Sequence, residues 1–246
     1  MANRSYIRVP LNTGIREIEG KVVVFTNANT PTTPVAAPGF RRRSLLGMMV
    51  VAAAAPLTAQ ALADTPPADA VATIRQLNGA LLAAMKSAGR TDFKHRFQAL
   101  APAVDQAFDL PSVLAFSVGP SWASFSPDQQ SRLMDAFRRY TVASYLANFN
   151  SYAGQNFIVS PDTHDVGSGR VVVDSRLVPV SGEATELDYV IKQAGWKVVD
   201  VLAAGSISRV AVQRSDFRRT LANGGGDALL ASLQRKTSDL SGGALV

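Results

Sequence analysis

The stretch Glu186–Lys192, with the sequence ELDYVIK, decides the fold. Within it Leu187, Tyr189 and Ile191 alternate with Glu186, Asp188, Val190 and Lys192, three of which are charged. A strict period of two predicts a β-strand with one apolar face and one solvated face. Such a strand is typical of an antiparallel sheet that helices cover on one side only.

Other segments after residue 156 share this character, and Gly-containing turns separate them. We predict strands from Phe157 to Val159, Arg170 to Val178, Glu186 to Gln193 and Trp196 to Leu202. The sequence therefore predicts a curved antiparallel sheet of about four strands.

Helical spacing flanks this sheet on both sides of the sequence. Before it we predict helices over Ala68 to Ala88, from a cap at Asp92 to Phe108, over Leu110 to Val118, and from a cap at Ser126 to about Tyr152. After it we predict helices over Ile207 to Leu221 and Asp227 to Ser238, separated by Gly224-Gly225-Gly226. Helices, then an antiparallel meander, then helices indicate an α+β domain rather than a βαβ fold.

An apolar stripe runs along the long helix that begins at Ser126. Leu133, Phe137 and Tyr140 recur at helical spacing and share one face. Together with the apolar sheet face, the stripe is consistent with a thick core or with an enclosed apolar pocket. The periodicity leaves both open, because a core and a pocket lining have the same pattern.

A leader precedes this domain. Arg41-Arg42-Arg43 is followed by an uncharged, Ala-rich stretch from Leu45 to Leu57, and Ala61-Leu62-Ala63 has the small-x-small pattern of a cleavage site. These features predict a secretory signal peptide over residues 41–63. The apolar stretch is too short for a good transmembrane helix.

We expect cleavage near Ala63-Asp64 and a soluble periplasmic product. Residues 1–40 are interpreted as a disordered extension or as the result of a misassigned start codon. Residues 64–246 are interpreted as one domain, a length that supports a substantial core. The arginines also loosely fit a twin-arginine signal, so the export route stays open.

The charge of the chain belongs mostly to the leader. The whole chain has a net charge of +6, but residues 1–63 hold seven of the 25 Lys and Arg and two of the 19 Asp and Glu. The remainder is nearly balanced, which argues against a nucleic-acid partner. The sequence has no Cys, so disulfides, thiol chemistry and a lipidated N-terminal Cys are excluded.

Two motifs suggest catalysis or metal binding only weakly. Gly119–Ala123 resembles a nucleophile elbow, but that motif needs a preceding strand, and here a helix is predicted. Asp162, His164 and Asp165 are interpreted as solvated residues of a polar turn between two strands, because no second His or helical ligand pair is present. We predict no catalytic residue, no metal site and no cofactor.

One basic patch remains, formed by Arg214, Arg218 and Arg219 on the penultimate helix. It is either a solvated, salt-bridged helix face or a contact to phosphate headgroups or to an acidic partner.

An ordered series of motifs resembles the MlaC-type family of periplasmic phospholipid-binding proteins, also called toluene-tolerance or ABC-transporter auxiliary proteins. The series comprises Val118-Gly119 to Trp122, Phe125 to Gln130 with Phe137, Tyr140 and Tyr145, Gly195 to Val201, Gly205 to Ser208, Arg214 to Phe217, and Gly226 with Leu229 to Leu233. The resemblance spans nearly all of residues 70–240. The segment at Pro120-Ser121 departs from the usual pattern, which leaves open the hopanoid-associated HpnM branch.

The resemblance implies a monomeric carrier that shuttles phospholipid between an outer-membrane lipoprotein complex and an inner-membrane MCE-domain protein of an ABC transporter. It also implies an apolar cavity between the sheet and the helices. From their periodicity we place along that cavity Leu133, Phe137, Tyr140, Val171, Val173, Leu177, Leu187, Tyr189 and Ile191. The alternatives are a hopanoid carrier, a small-substrate enzyme, and a periplasmic adaptor with a filled core.

Overall fold

The computed structural model describes residues 69–245, together with one short strand pair in the N-terminal region. The chain divides into two units, Met1–Gln60 and Ala61–Val246. In the first unit, β1 (Ile15–Arg16) pairs antiparallel with β2 (Val24–Phe25). The predicted signal peptide and its cleavage site lie outside the described residues and stay predictions.

Four α-helices precede the main sheet, and each begins after a side chain that caps it. Asp69, Asp92, Asp109 and Ser126 each accept a hydrogen bond from the backbone N–H three residues on, which satisfies a donor that the helix itself leaves free. The helices are α1 (Ala70–Ser87), α2 (Phe93–Ala107), α3 (Leu110–Val118) and α4 (Pro127–Asn148), and a 3-10 helix (Gly119–Ser124) follows α3.

The main sheet is an antiparallel meander in which each strand pairs with the next one in the sequence. It confirms the predicted α+β class but has five strands where about four were predicted. The fifth is short because Ser208 also caps the helix that follows it. The strands are β3 (Asn156–Gly167), β4 (Arg170–Val178), β5 (Thr185–Lys192), β6 (Lys197–Ala203) and β7 (Ile207–Ser208).

Strand β3 is far longer than predicted, and the prediction of a polar turn at Asp162–Asp165 was wrong. Pairing with β4 is interrupted between Val159 and Thr163 and then resumes. Pro161 lies inside this bulge, where its lack of an N–H breaks no ladder bond. An edge strand tolerates polar side chains because it is exposed to solvent, so side-chain polarity gave no sign that the strand continues.

The last element, α5 (Arg209–Ser241), is broken where the glycine triplet predicts a break. Gly224 and Gly225 have non-helical backbone angles, and Gly225 has a φ of 64°, which glycine adopts without strain. Gly226 is buried against α4, since a Cβ there would lie 2.6 Å from Nε2 of Gln129. The two halves of α5 therefore have different directions, and the second half is held close to the start of α4.

The core lies between the helices and one face of the sheet. Along β4 and β5, buried residues alternate with half-buried or exposed ones. Helix α1 contacts β3 and β4. Strand β6 is contacted by α2, α3 and α5. Helix α4 packs mainly on α5 and α2. The inner sheet face is thus the floor of the layer in which a ligand site was predicted.

Candidate functional site

The inner face of β4 and β5 is an almost uninterrupted apolar surface. Val171 is paired with Ile191 and Val173 with Tyr189 across the two strands. These four side chains and Leu187 are at most 6% exposed. The structure therefore brings five of the predicted site residues together on one buried surface.

The three predicted residues of α4 form a second group. Leu133, Phe137 and Tyr140 are all buried. The ring of Phe137 meets Phe217 of α5 edge to face at 6.3 Å between centroids, and Lys236 of α5 lies 5.8 Å from the ring centroid of Tyr140. Both of these ring contacts join α4 to α5.

Leu177 lies apart from both groups. It pairs with Phe157 on one side and Thr185 on the other, near the end of β4, and it is only half-buried. The cavity that these residues were predicted to line stays a prediction, because burial alone fits a lining as well as a filled core.

A buried polar cluster interrupts the apolar layer and was not predicted. Asn78 of α1 donates a hydrogen bond from Nδ2 to Oγ of Ser175, at 2.9 Å. The hydroxyl of Tyr189 donates a longer bond of 3.4 Å to Oδ1 of Asn78. All three side chains are almost inaccessible to solvent. A buried amide that lacks such partners costs about 1–3 kcal/mol, so the cluster fixes how α1 lies on the sheet.

A row of aromatic rings connects the helices to β3 and was also missed as a group. Phe108, Tyr145, Phe149 and Phe157 follow one another with centroid separations of 5.6, 6.1 and 5.8 Å. Edge and offset contacts of this kind stabilise aromatic pairs beyond area burial. The signal available in the sequence was Tyr145, which belongs to the family motif but not to the predicted site.

The tyrosines of this layer are neutral at physiological pH. Burial raises the pKa of Tyr140, Tyr145 and Tyr189. The positive charge of Arg209, at the start of α5, opposes that rise for Tyr140 and Tyr145. Neutral hydroxyls can donate hydrogen bonds to ester or phosphate oxygens, but they do not act as bases.

The predicted arginine patch is distributed over two places. The guanidinium of Arg214 packs over Gly119, where a Cβ would lie 3.4 Å from it. Arg219 instead lines a cleft with Arg235, at the break in α5. Arg218 is exposed. The predicted contact of these arginines with headgroups or with a partner stays a prediction.

The other candidate residues form no reactive set. His95 contacts Asp92 at 2.6 Å and His164 contacts Asp174 at 2.9 Å, and both pairs are exposed. Ser121 lies in the 3-10 helix between α3 and α4. Within residues 69–245, no cluster of three or more His, Asp or Glu side chains is arranged to hold a metal. In the same range, no helix has the length and apolarity to cross a bilayer.

A family model described as MlaC protein matches residues 75–235. The chain belongs to the MlaC family. The match covers every element of the helix-and-sheet domain from within α1 to within α5, so the membership concerns this domain as a whole. No curated protein sequence matches this MlaC-family chain.

Seven chains of solved structures resemble it. One is a phospholipid-binding protein from Ralstonia solanacearum, solved in complex with a phospholipid. Its sequence is 22% identical, the TM-score is 0.61, and the match covers 71% of this chain and 99% of the other. At this identity the likeness shows that the two proteins share a fold.

Proposed function

We propose that this MlaC-family protein is a non-enzymatic periplasmic carrier that holds phospholipid and shuttles it between the outer and inner membranes. The observation that carries the proposal is the shared fold with a protein solved in complex with phospholipid, within a family match that spans the domain. The buried surface of Val171, Val173, Tyr189 and Ile191 is the wall against which we place the acyl chains.

The physical requirement for such a carrier is simple. Each acyl methylene that is shielded from water contributes about 0.8 kcal/mol, so a lipid crosses an aqueous space only with its chains covered. The inner sheet face is a continuous apolar surface, which the rest of the domain covers in this structure. The headgroup can stay in water and needs no matching charge inside the protein.

The chemistry of the layer supports a carrier rather than an enzyme. Its hydroxyls on Tyr140, Tyr145 and Tyr189 have raised pKa values, so they do not serve as bases at neutral pH. The positive charge of Arg209 acts on the pKa of Tyr140 and Tyr145, and the negative charge of Asp216 acts on that of Tyr140. A cation beside neutral donors can hold an ester group without reacting with it.

We further propose that the carrier is a monomer with two docking partners. These are an inner-membrane MCE-domain protein of an ABC-type lipid transporter and an outer-membrane lipoprotein complex, as the family resemblance implies. The signal peptide predicted over residues 41–63 gives the route to the periplasm. N-terminal sequencing of the exported protein should give a chain that begins near Asp64, and recovery of the full-length chain in the cytoplasm would refute the location.

Native mass spectrometry with lipid extraction tests the cargo. The protein is expressed from its full sequence and purified from the periplasm without detergent. We expect a near-stoichiometric phospholipid adduct. A hopanoid adduct would change the cargo and keep the carrier, whereas an apo mass with no uptake from liposomes would refute the carrier.

A further inference from the structure

The break in α5 produces a cleft of about 390 Å³ on the protein surface. Arg219, Thr220 and Asn223 line it from the first half of the helix. Ser232 and Arg235 line it from the second half, where Ala228 and Ala231 leave the space open with their small side chains. The cleft thus joins residues from both sides of the glycine triplet.

Helical spacing explains why these residues meet. Arg219 and Asn223 are four residues apart, and Ser232 follows Ala228 by the same interval, so each set shares a face of its half-helix. The turn at Gly225 then sets the two faces toward one cleft. A Cβ on Gly224 would lie 2.8 Å from Cβ of Ala228, so the two halves approach each other as closely as glycine permits.

The charge in the cleft is positive. Within residues 69–245, neither Arg219 nor Arg235 has an ion-pair partner, whereas Arg138 pairs with Asp105. No carboxylate lines the cleft. Asp227, the acidic residue beside the break, accepts a hydrogen bond from Gln129 of α4 instead.

We propose that this cleft binds a phosphate group. Guanidinium groups present paired N–H donors that match the oxygens of a phosphate. The hydroxyls of Thr220 and Ser232 and the amide of Asn223 supply further donors around the same space. The volume exceeds that of a single oxyanion, which leaves room for the ester substituent of a phosphodiester.

Two sources supply this chemistry, namely free phosphate and the headgroups of an anionic membrane surface. The cleft lies on exposed and half-buried residues of α5 and shares no residue with the inner sheet face. The inference therefore goes beyond lipid carriage and does not depend on it.

The test compares two double variants of the full chain that remove equal charge. R219Q/R235Q removes both arginines of the cleft, and R75Q/R170Q removes two exposed arginines of α1 and β4 that have no ion-pair partner among the described residues. Inorganic phosphate is titrated at constant ionic strength, because exposed charges are screened by salt. Each protein is then floated with vesicles of phosphatidylglycerol and of phosphatidylcholine.

We expect R219Q/R235Q to weaken binding at least about tenfold, the equivalent of one charged hydrogen bond. R75Q/R170Q should stay near the unmodified protein. If R219Q/R235Q loses only the binding of inorganic phosphate, the cleft is assigned to free phosphate. If R219Q/R235Q no longer floats with phosphatidylglycerol vesicles, the cleft is assigned to headgroups.

The proposal is overturned if the unmodified chain binds neither probe, or if both double variants lose binding equally. R219K/R235K, which keeps the charge but lacks the planar fork, should recover part of the binding and guards against a folding defect in the glutamine pair. Lipid that copurifies with R219Q/R235Q should be unchanged. A missing lipid in every protein would therefore count against the carrier and leave the phosphate cleft standing.

Discussion

The two faces of β5 differ sharply although their residues alternate along one strand. On the inner face, Tyr189 and Ile191 are at most 1% exposed and lie in an apolar layer. On the outer face, Glu186 and Asp188 lie near Asp174, and burial together with these neighbouring negative charges raises the pKa of Asp188. The inner face is closed and neutral, whereas the outer face is exposed or half-buried and carries Glu186, Asp188 and Lys192.

This contrast separates two kinds of contribution to the protein. Substitutions on the inner face change packing and desolvation, which are worth several kcal/mol per large side chain. Substitutions on the outer face change interactions between solvated charges, which are usually worth less than about 1 kcal/mol. We therefore expect the proposed lipid binding and most of the stability to depend on the inner face.

The largest effect is expected for Tyr189→Asp. A carboxylate at this almost fully buried position loses its hydration, so we expect the free energy of unfolding to fall by about 3 kcal/mol or more and copurified lipid to disappear. Native mass spectrometry and thermal denaturation measure the two effects. Tyr189→Phe is the matched control and should keep the lipid. Retained lipid in a folded Y189D protein would contradict the site.

Asn78→Ala should have the next largest effect. It removes the amide between Ser175 and Tyr189 and leaves the serine hydroxyl and the phenol without these partners. We expect a loss of about 1–3 kcal/mol, measured by urea denaturation. Ala at the exposed Gln98 of α2 is a suitable control for a polar truncation outside the core. Equal stability of N78A and the unmodified chain would show that the cluster contributes nothing.

Asp109→Asn tests the ion pair between Lys192, at the end of β5, and Asp109, which caps α3. Lys192 contacts the carboxylate of Asp109, whose side chain is 11% exposed. Burial raises the pKa of Asp109, but hydrogen bonds from Lys192 and Ser112 outweigh it and lower the pKa overall. We expect D109N to cost about 1 kcal/mol at neutral pH, since the exposed lysine screens the pair.

The stability cost of D109N depends on pH because the pKa of Asp109 is lowered in the folded protein. A lowered folded-state pKa gives stability that is present above the unfolded pKa and is lost as the pH falls through the folded value. The melting temperatures of D109N and the unmodified protein should therefore converge in acid. A constant difference across that range would show that charge is not the cause.

Asp188→Asn should have the smallest effect and the opposite direction. Its raised pKa means that the folded state favours the neutral acid, so its contribution to stability falls as the pH rises from the unfolded value through the folded one. D188N should stabilise by less than about 1 kcal/mol at neutral pH because the group is largely solvated, and the gain should vanish at low pH. Thermal melts at both pH values measure this, and a destabilised D188N at neutral pH would contradict it.

The sequence predicted the elements with strong periodicity and missed those that depend on distant partners. Strand β4 and helix α3 have the predicted bounds, because apolar alternation and a Gly-Pro stop are local signals. Strand β3 was cut short after Val159, since its continuation is defined by backbone pairing to β4 and not by side-chain polarity. Burial of the predicted residues on the inner face followed from the same alternation.

The polar contacts of the site could not be predicted from periodicity. Asn78 interrupts an apolar helix face. Its hydrogen-bond partner, Ser175, lies 97 residues further along the chain, so the sequence around Asn78 does not reveal the pair. The cleft in α5 is similar, because Arg219 and Arg235 meet only through the backbone angles of Gly224 and Gly225. Local periodicity carries no information on which side chains a bend brings together.

The strand order also has a consequence for the route by which the chain folds. Each strand of the main sheet pairs with its neighbour in the sequence, so hairpins can form one after another with short loop closures. Helix α1 is the first helix of this domain to be synthesised, but it reaches Ser175 and Tyr189 only after β4 and β5 have emerged. Helix α2 follows directly and packs on α1, so during vectorial synthesis only the sheet-facing side of α1 waits for cover, and a chaperone would bind there.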